Sequence, residues 1–164
     1  MSKKLIAAWI LVFLGVALFL LVFFKPNSNK VTIYLKTRDN ADSLKAMLIR
    51  QNGVKQTLAF KIAANLLSLK RIYPGKYEVS AGMTNRELIN MFKYGNQTEV
   101  SFRFGNNVFP FELYGALGRK FEKDSMDFYY AINDSSKYSA LSLDRNSAMA
   151  IFWADTYQFP WTTT

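Results

Sequence analysis

Hydrophobic positions are distributed along the chain in three ways: one unbroken run, short alternations, and stripes at helical spacing. The run is Leu5 to Phe24 (LIAAWILVFLGVALFLLVFF), 20 residues without a charge or strong polar group. At about 1.5 Å rise per residue it matches the roughly 30 Å hydrocarbon layer of a bilayer, so it predicts a transmembrane helix. A polar linker, Pro26 to Lys30, follows. Val31, Ile33 and Leu35 then alternate with Thr32, Tyr34 and Lys36, as in a half-buried strand. Asp39, Asn40 and Asp42 are good starters for a helix with Leu44, Met47 and Leu48 on one face, and Asn52-Gly53 supplies a left-handed stop. Thr57 to Leu69 predicts a second amphipathic helix, its apolar stripe formed by Leu58, Ile62, Leu66 and Leu69.

Tyr73-Pro74-Gly75 reads as a turn, with Pro fixing one position and Gly taking positive φ, before a short strand at Lys76 to Val79. Thr84 and Glu87 form a capping box, Leu88, Ile89 and Phe92 a buried face, and Gly95 a helix stop. Val100, Phe102 and Phe104 alternate as a strand; Leu113, Leu117 and Phe121 mark a helix over Phe111 to Phe121. Met126 to Ile132 and Arg145 to Ile151 predict short helices. The fold class is therefore mixed α+β behind one membrane helix. Val31 to Gly53 and Lys76 to Gly95 share a plan of strand, polar turn, capped helix and closing Gly, a weak sign of internal duplication. The chain stops at Trp161-Thr162-Thr163-Thr164, which gives the expectation of a domain cut off partway.

Composition narrows the chemistry. Neither Cys nor His occurs among the 164 residues. Thiol nucleophiles, disulfides, thiolate metal sites and imidazole bases are therefore excluded, and catalysis must rest on carboxylates, hydroxyls, Lys or Arg. No P-loop, Gly-x-Gly-x-x-Gly or metal-like carboxylate spacing is present, so the expectation is no cofactor and no metal. The net charge of +9 is uneven: residues 25 to 93 hold 13 Lys and Arg against 4 Asp and Glu, whereas residues 94 to 164 hold 6 against 8. Lys3 and Lys4 orient the amino terminus to the cytoplasm and everything after Lys25 outward, with a cleaved signal peptide as the competing reading. On that side a basic half suits anionic headgroups or an acidic wall polymer, or is a solvated surface beside the bilayer; nucleic acid is not an expected partner.

Three stretches together resemble the endolytic murein transglycosylase, or YceG-like, family. They are the apolar anchor; Tyr73-Pro-Gly-Lys-Tyr-Glu-Val79 with Gly82-Met83-Thr84 and Leu88 to Gly95; and Phe152-Trp-Ala-Asp-Thr-Tyr-Gln158. The resemblance implies a membrane helix (5 to 24, after a cytoplasmic tip at 1 to 4), a linker (25 to 30), a LysM-like module (31 to 97) and the start of a lysozyme-like transglycosylase domain (98 to 164). It further implies peptidoglycan glycan strands as substrate, cell-wall synthases as candidate partners, and a single-pass location in the cytoplasmic (inner) membrane with the main domain facing the periplasm or exterior. The implied reaction cuts between N-acetylmuramic acid and N-acetylglucosamine to leave 1,6-anhydro ends. It needs one carboxylic acid kept protonated near neutral pH by an apolar surround.

The sequence departs from the family pattern where that acid is expected. Counting back from Asp155 places the family's Glu-Gly pair on Met149 and Ala150; some members carry an acid just after the Tyr, where this chain has Gln158. An amide there keeps shape and hydrogen bonding but cannot act as a general acid. Ala154 replaces the family Pro, and Asp155 is the nearest carboxylate. The catalytic candidates are thus Gln158 and Met149 by position and Asp155 by chemistry. Trp153, Tyr157 and Trp161, with Phe152 and Phe159, either stack on sugar faces or form the edge of a hydrophobic core. A non-catalytic peptidoglycan-binding or scaffold protein is the alternative function.

Overall fold

The computed structural model describes residues 3–105, 110–134, 136 and 154–163. The chain divides into two compact units, Met1–Gln97 and Thr98–Thr164. In the first, α1 (Lys3–Phe24) is followed by β1 (Val31–Leu35), α2 (Ala41–Arg50), α3 (Thr57–Leu66), β2 (Gly75–Val79) and α4 (Asn85–Tyr94). Strands β1 and β2 pair antiparallel, with Ile33 opposite Tyr77 and Val31 opposite Val79. Period-two alternation turns Ile33, Leu35, Tyr77 and Val79 to one face of this ribbon, where they meet Leu44 and Leu48 of α2, Phe60 of α3 and Leu88, Ile89 and Phe92 of α4. The Tyr77 and Phe92 rings pack with centroids 4.7 Å apart.

Local signals account for the helix ends. The Asn40 side chain caps α2 by accepting from the N–H groups of Asp42 and Ser43 at 3.0 and 2.8 Å. The capping box of α4 is complete: Thr84 Oγ1 accepts from the Glu87 N–H, Glu87 Oε2 accepts from the Thr84 N–H at 2.7 Å, and Gly95 closes the helix at φ 73°. The Asn52-Gly53 stop divides its labour differently from expectation. Asn52 takes the left-handed conformation (φ 53°), while Gly53 is needed for closeness, because a Cβ there would lie 2.9 Å from Leu48 Cδ2.

The expected orientation of α3 is corrected. Its core face is Phe60, Ala63 and Ala64, whereas Leu58 and Leu66 are 73 % and 66 % exposed and Ile62 is also exposed. Two apolar stripes run along this helix, and the one with small side chains wins the core because two Ala allow its backbone to come close to its neighbours. The helix also ends earlier than Leu69: Ser68 turns left-handed at φ 52°, and Leu69 folds back into the core with its N–H bonded to the Ala64 carbonyl at 2.9 Å.

The stretch read as a linker is tied into the module. Asn27 and Ser28 are buried; Asn27 N–H and Ser28 N–H both donate to the Met83 carbonyl, and Ser28 Oγ donates to the Ser80 carbonyl at 2.6 Å. Asn85 bridges to the helix before it, its amide donating to the Val22 carbonyl at 2.7 Å while its oxygen accepts from Asn27 Nδ2 at 2.7 Å. Val22 and Phe23 are buried with the module's core, so α1 ends inside the first unit. The rest of α1 is apolar and exposed, and it is the one described helix long and apolar enough to cross a membrane.

In the second unit, β3 (Val100–Arg103), α5 (Pro110–Lys120), α6 (Ser125–Asn133) and β4 (Thr156–Phe159) are described. Phe102, Phe104, Leu113, Leu117, Phe121 and Phe128 form its core. Asp124 and Asp127 make a second capping box at the start of α6, and Gly118 lets the α5–α6 corner close, since a Cβ there would sit 2.5 Å from the Ser125 backbone nitrogen. The helix expected at Arg145 to Ile151 lies outside the described residues.

Candidate functional site

The motif Asp155-Thr156-Tyr157-Gln158 runs onto β4, which pairs antiparallel with β3: Arg103 faces Thr156, Phe102 faces Tyr157, Ser101 faces Gln158 and Val100 faces Phe159. Alternation sorts these residues onto two faces. Tyr157 and Phe159 are half-buried on the inner one, where both rings meet Phe104 edge-on, at 5.5 and 6.4 Å, and stack on each other at 6.0 Å. Thr156 and Gln158 are exposed on the outer one, beside Ser101 and Arg103. Asp155, exposed at the head of the strand, accepts the Thr156 N–H on Oδ1 at 2.6 Å and the Phe104 N–H on its carbonyl at 2.9 Å. Trp161, two residues past the strand, is buried, and its carbonyl accepts from the Glu122 N–H at 3.0 Å.

The structure thus places Tyr157 and Gln158 on opposite faces of β4 with Asp155 just before it, and leaves Asp155 and Gln158 reachable from solvent. Met149, Ala150, Phe152 and Trp153 lie outside the described residues. Arg103 and Ser101 are the additions that sequence reading missed. Their polar positions were visible in the alternation with Phe102 and Phe104, but their placement beside Gln158 and Thr156 depends on a strand pairing that no local signal announces. The resulting strip offers an amide, two hydroxyls and a guanidinium, with the Asp155 carboxylate exposed just before the strand, a set suited to bonding sugar hydroxyls.

A general acid for glycosidic cleavage needs enclosure, and the described carboxylates do not have it. None is buried; Glu122 is half-buried in the second unit and Asp155 is exposed. Among the described residues no group of three or more acidic side chains is placed to hold a metal ion.

The chain is α+β, with a long apolar amino-terminal helix and Asp-Thr-Tyr leading into a two-stranded sheet. The chain belongs to the YceG-like family, whose profile matches residues 33–164, that is, from β1 onward and without α1. The family is one of murein transglycosylases, which sets a coarse role at the cell wall with peptidoglycan as substrate. No curated protein and no solved structure matches the chain.

Proposed function

We propose that the protein is a membrane-anchored endolytic transglycosylase of nascent peptidoglycan, with α1 retained as a single-pass anchor in the cytoplasmic membrane and both units on its outer side. The observation that carries this reading is the family match over residues 33–164, with the long apolar α1 before it supporting the anchor. The order strand, helix, helix, strand with an antiparallel pair supports a LysM-like character for residues 31–97, a module that would hold a glycan strand. Residues 98–164 are taken as part of a lysozyme-like domain. Cell-wall synthases are the expected neighbours on that membrane face.

In the proposed reaction a carboxylic acid donates its proton to the oxygen linking N-acetylmuramic acid to the next N-acetylglucosamine. The muramyl 6-hydroxyl attacks the anomeric carbon as that bond breaks, and its proton returns to the carboxylate. No water is consumed, and the product carries a 1,6-anhydro end. The β3–β4 strip would orient sugar through Gln158, Arg103 and Thr156.

A second reading, a binding or scaffold protein without chemistry, is favoured by one observation: Gln158 presents an amide where an acid is expected, and the carboxylate nearest in sequence, Asp155, is exposed. Incubating the full chain in detergent with uncrosslinked glycan strands and reading their ends by mass spectrometry separates the two. Anhydro-muramyl ends that disappear in Asp155→Asn establish cleavage and its acid. Strand binding without such ends, in wild type and variant alike, leaves the binding reading.

A further inference from the structure

We propose that α3 is an interfacial helix, laid into the outer leaflet beside the anchor with its Leu58, Ile62 and Leu66 face among the lipid acyl chains. This rests on the anchored reading above. A surface helix normally turns a polar face outward. In α3 the exposed side carries Leu58, Ile62 and Leu66 at 73 %, 41 % and 66 % exposure, with Lys61 and Asn65 as the polar residues beside them.

What lies against that face decides its environment. Leu18, Leu21 and Val22 of α1 and Leu58, Ala59 and Ile62 of α3 line a shared groove of about 470 Å³. Leu18 is six residues from the end of α1, about 9 Å along the helix axis. If Leu5 to Phe24 fills the hydrocarbon layer, the residues packed on Leu18 and Leu21 sit within its last 9 Å or so. That is the depth, roughly 5 to 10 Å, at which amphipathic helices rest in a monolayer. Such a groove, open and apolar, would be filled by acyl chain rather than by water.

The charges fit the same placement. Between Asp42 and Glu78 the chain carries seven cations, of which Lys45 pairs with Asp42 at 3.1 Å and Lys76 with Glu78 at 2.6 Å, leaving Arg50, Lys55, Lys61, Lys70 and Arg71 between them. Lys25 follows α1 directly, and Lys55 precedes α3; Arg86 lies 5.8 Å from the centre of the Phe24 ring at the anchor's end. Lys25, Lys55, whose N–H donates to the Asn27 carbonyl, and Arg86 thus stand at the anchor's end, where phosphate headgroups would be. Lys61, exposed on α3 near the apolar face, can bury its methylene stem and extend its ammonium to that level. A water-facing surface gains nothing from this combination, whereas an anionic lipid monolayer matches both its parts.

Because the chain has no Cys, single substitutions at exposed positions give unique labelling sites. Leu58→Cys, Ile62→Cys and, as reference, Leu11→Cys within the anchor are labelled with an environment-sensitive fluorophore. Each full-length protein is then reconstituted in vesicles of phosphatidylethanolamine and phosphatidylglycerol carrying doxyl groups either shallow or deep on the acyl chain. The expected result is blue-shifted emission at 58 and 62, lost to the shallow quencher more than to the deep one and untouched by aqueous iodide, with the reverse depth preference at 11. Iodide quenching at 58 and 62 with lipid quenching intact at 11 overturns the interfacial helix and spares the anchor. Shielding at 58 and 62 from all quenchers means a second copy covers the face, and also overturns it. If position 11 itself fails to respond to lipid quenchers, the anchored reading falls, and the interfacial helix falls with it.

Discussion

Asn85 uses both ends of one side-chain amide to join segments far apart in sequence, holding the Val22 carbonyl on one side and Asn27 on the other. Both partners are buried, so removing the amide strands a carbonyl that no water reaches. Asn85→Ala is expected to cost about 2 to 3 kcal/mol, the range for unpaired buried polar groups together with a lost bond. Denaturant unfolding of the detergent-solubilised chain measures it. Tyr77 gives a test in the alkaline range. Burial pushes its hydroxyl up to about 12 from 10.0, and that hydroxyl donates to the Tyr73 carbonyl at 2.7 Å. The unfolded chain releases this proton at lower pH than the folded one, so the contribution is complete below pH 10 and disappears as pH rises toward 12. Tyr77→Phe should lower stability by about 1 kcal/mol at neutral pH and remove its share of the alkaline decline, read as the difference between the two proteins' unfolding free energies across that window.

At the scale of the element, the α4 capping box links a sequence signature to acid sensitivity. The Thr84 backbone N–H, then its hydroxyl, hold the exposed Glu87 carboxyl below the ordinary 4.5. The ionised form is favoured in the folded state, so this contribution is present above pH 4.5 and is lost as pH falls through the lowered folded value. Glu87→Gln keeps an acceptor for the Thr84 N–H and should flatten the acid limb of a stability–pH curve. Thr84→Ala should cost about 1 kcal/mol at neutral pH.

Where such signals act within a few residues, the sequence was readable: the caps of α2 and α4, the alternation of β1 and β2, and the Leu113–Leu117–Phe121 face of α5 all stand where the pattern placed them. Two elements were not. On α3, periodicity shows two apolar stripes but not which one packs, because the choice is made by helices α1 and α4 brought in from distant segments. Strand β4 was invisible because its partner Val100 is far from Phe159 in sequence, so a four-residue run acquires its register only in the folded unit. The candidate site suffered from the same gap. Asp155, Tyr157 and Gln158 could be named from the motif, but not their division between a polar outer face and an aromatic inner one, nor the neighbours Ser101 and Arg103.

For the whole molecule, the uneven charge makes a prediction about binding. If the basic region from 25 to 93 holds an acidic wall polymer, retention on purified sacculi should fall steeply as salt is raised from about 0.1 M to about 1 M, because the screening length shrinks from about 10 Å to about 3 Å over that range. Retention that survives high salt would point instead to hydroxyl and ring contacts, such as those on the β3–β4 strip.

The junction between α1 and the first unit has a mechanical consequence for an anchored protein. Six freely jointed residues would let a domain wander by some 13 Å, and a glycan at almost any height could be caught. Here residues 26 to 28 are stitched to Thr84, Met83 and Val54, and Val22 and Phe23 are packed into the core. The anchor then behaves as a rigid mast rather than a leash. On the anchored reading the first unit is held at one fixed height on the bilayer surface, and its reach would be confined to the layer of wall nearest the membrane.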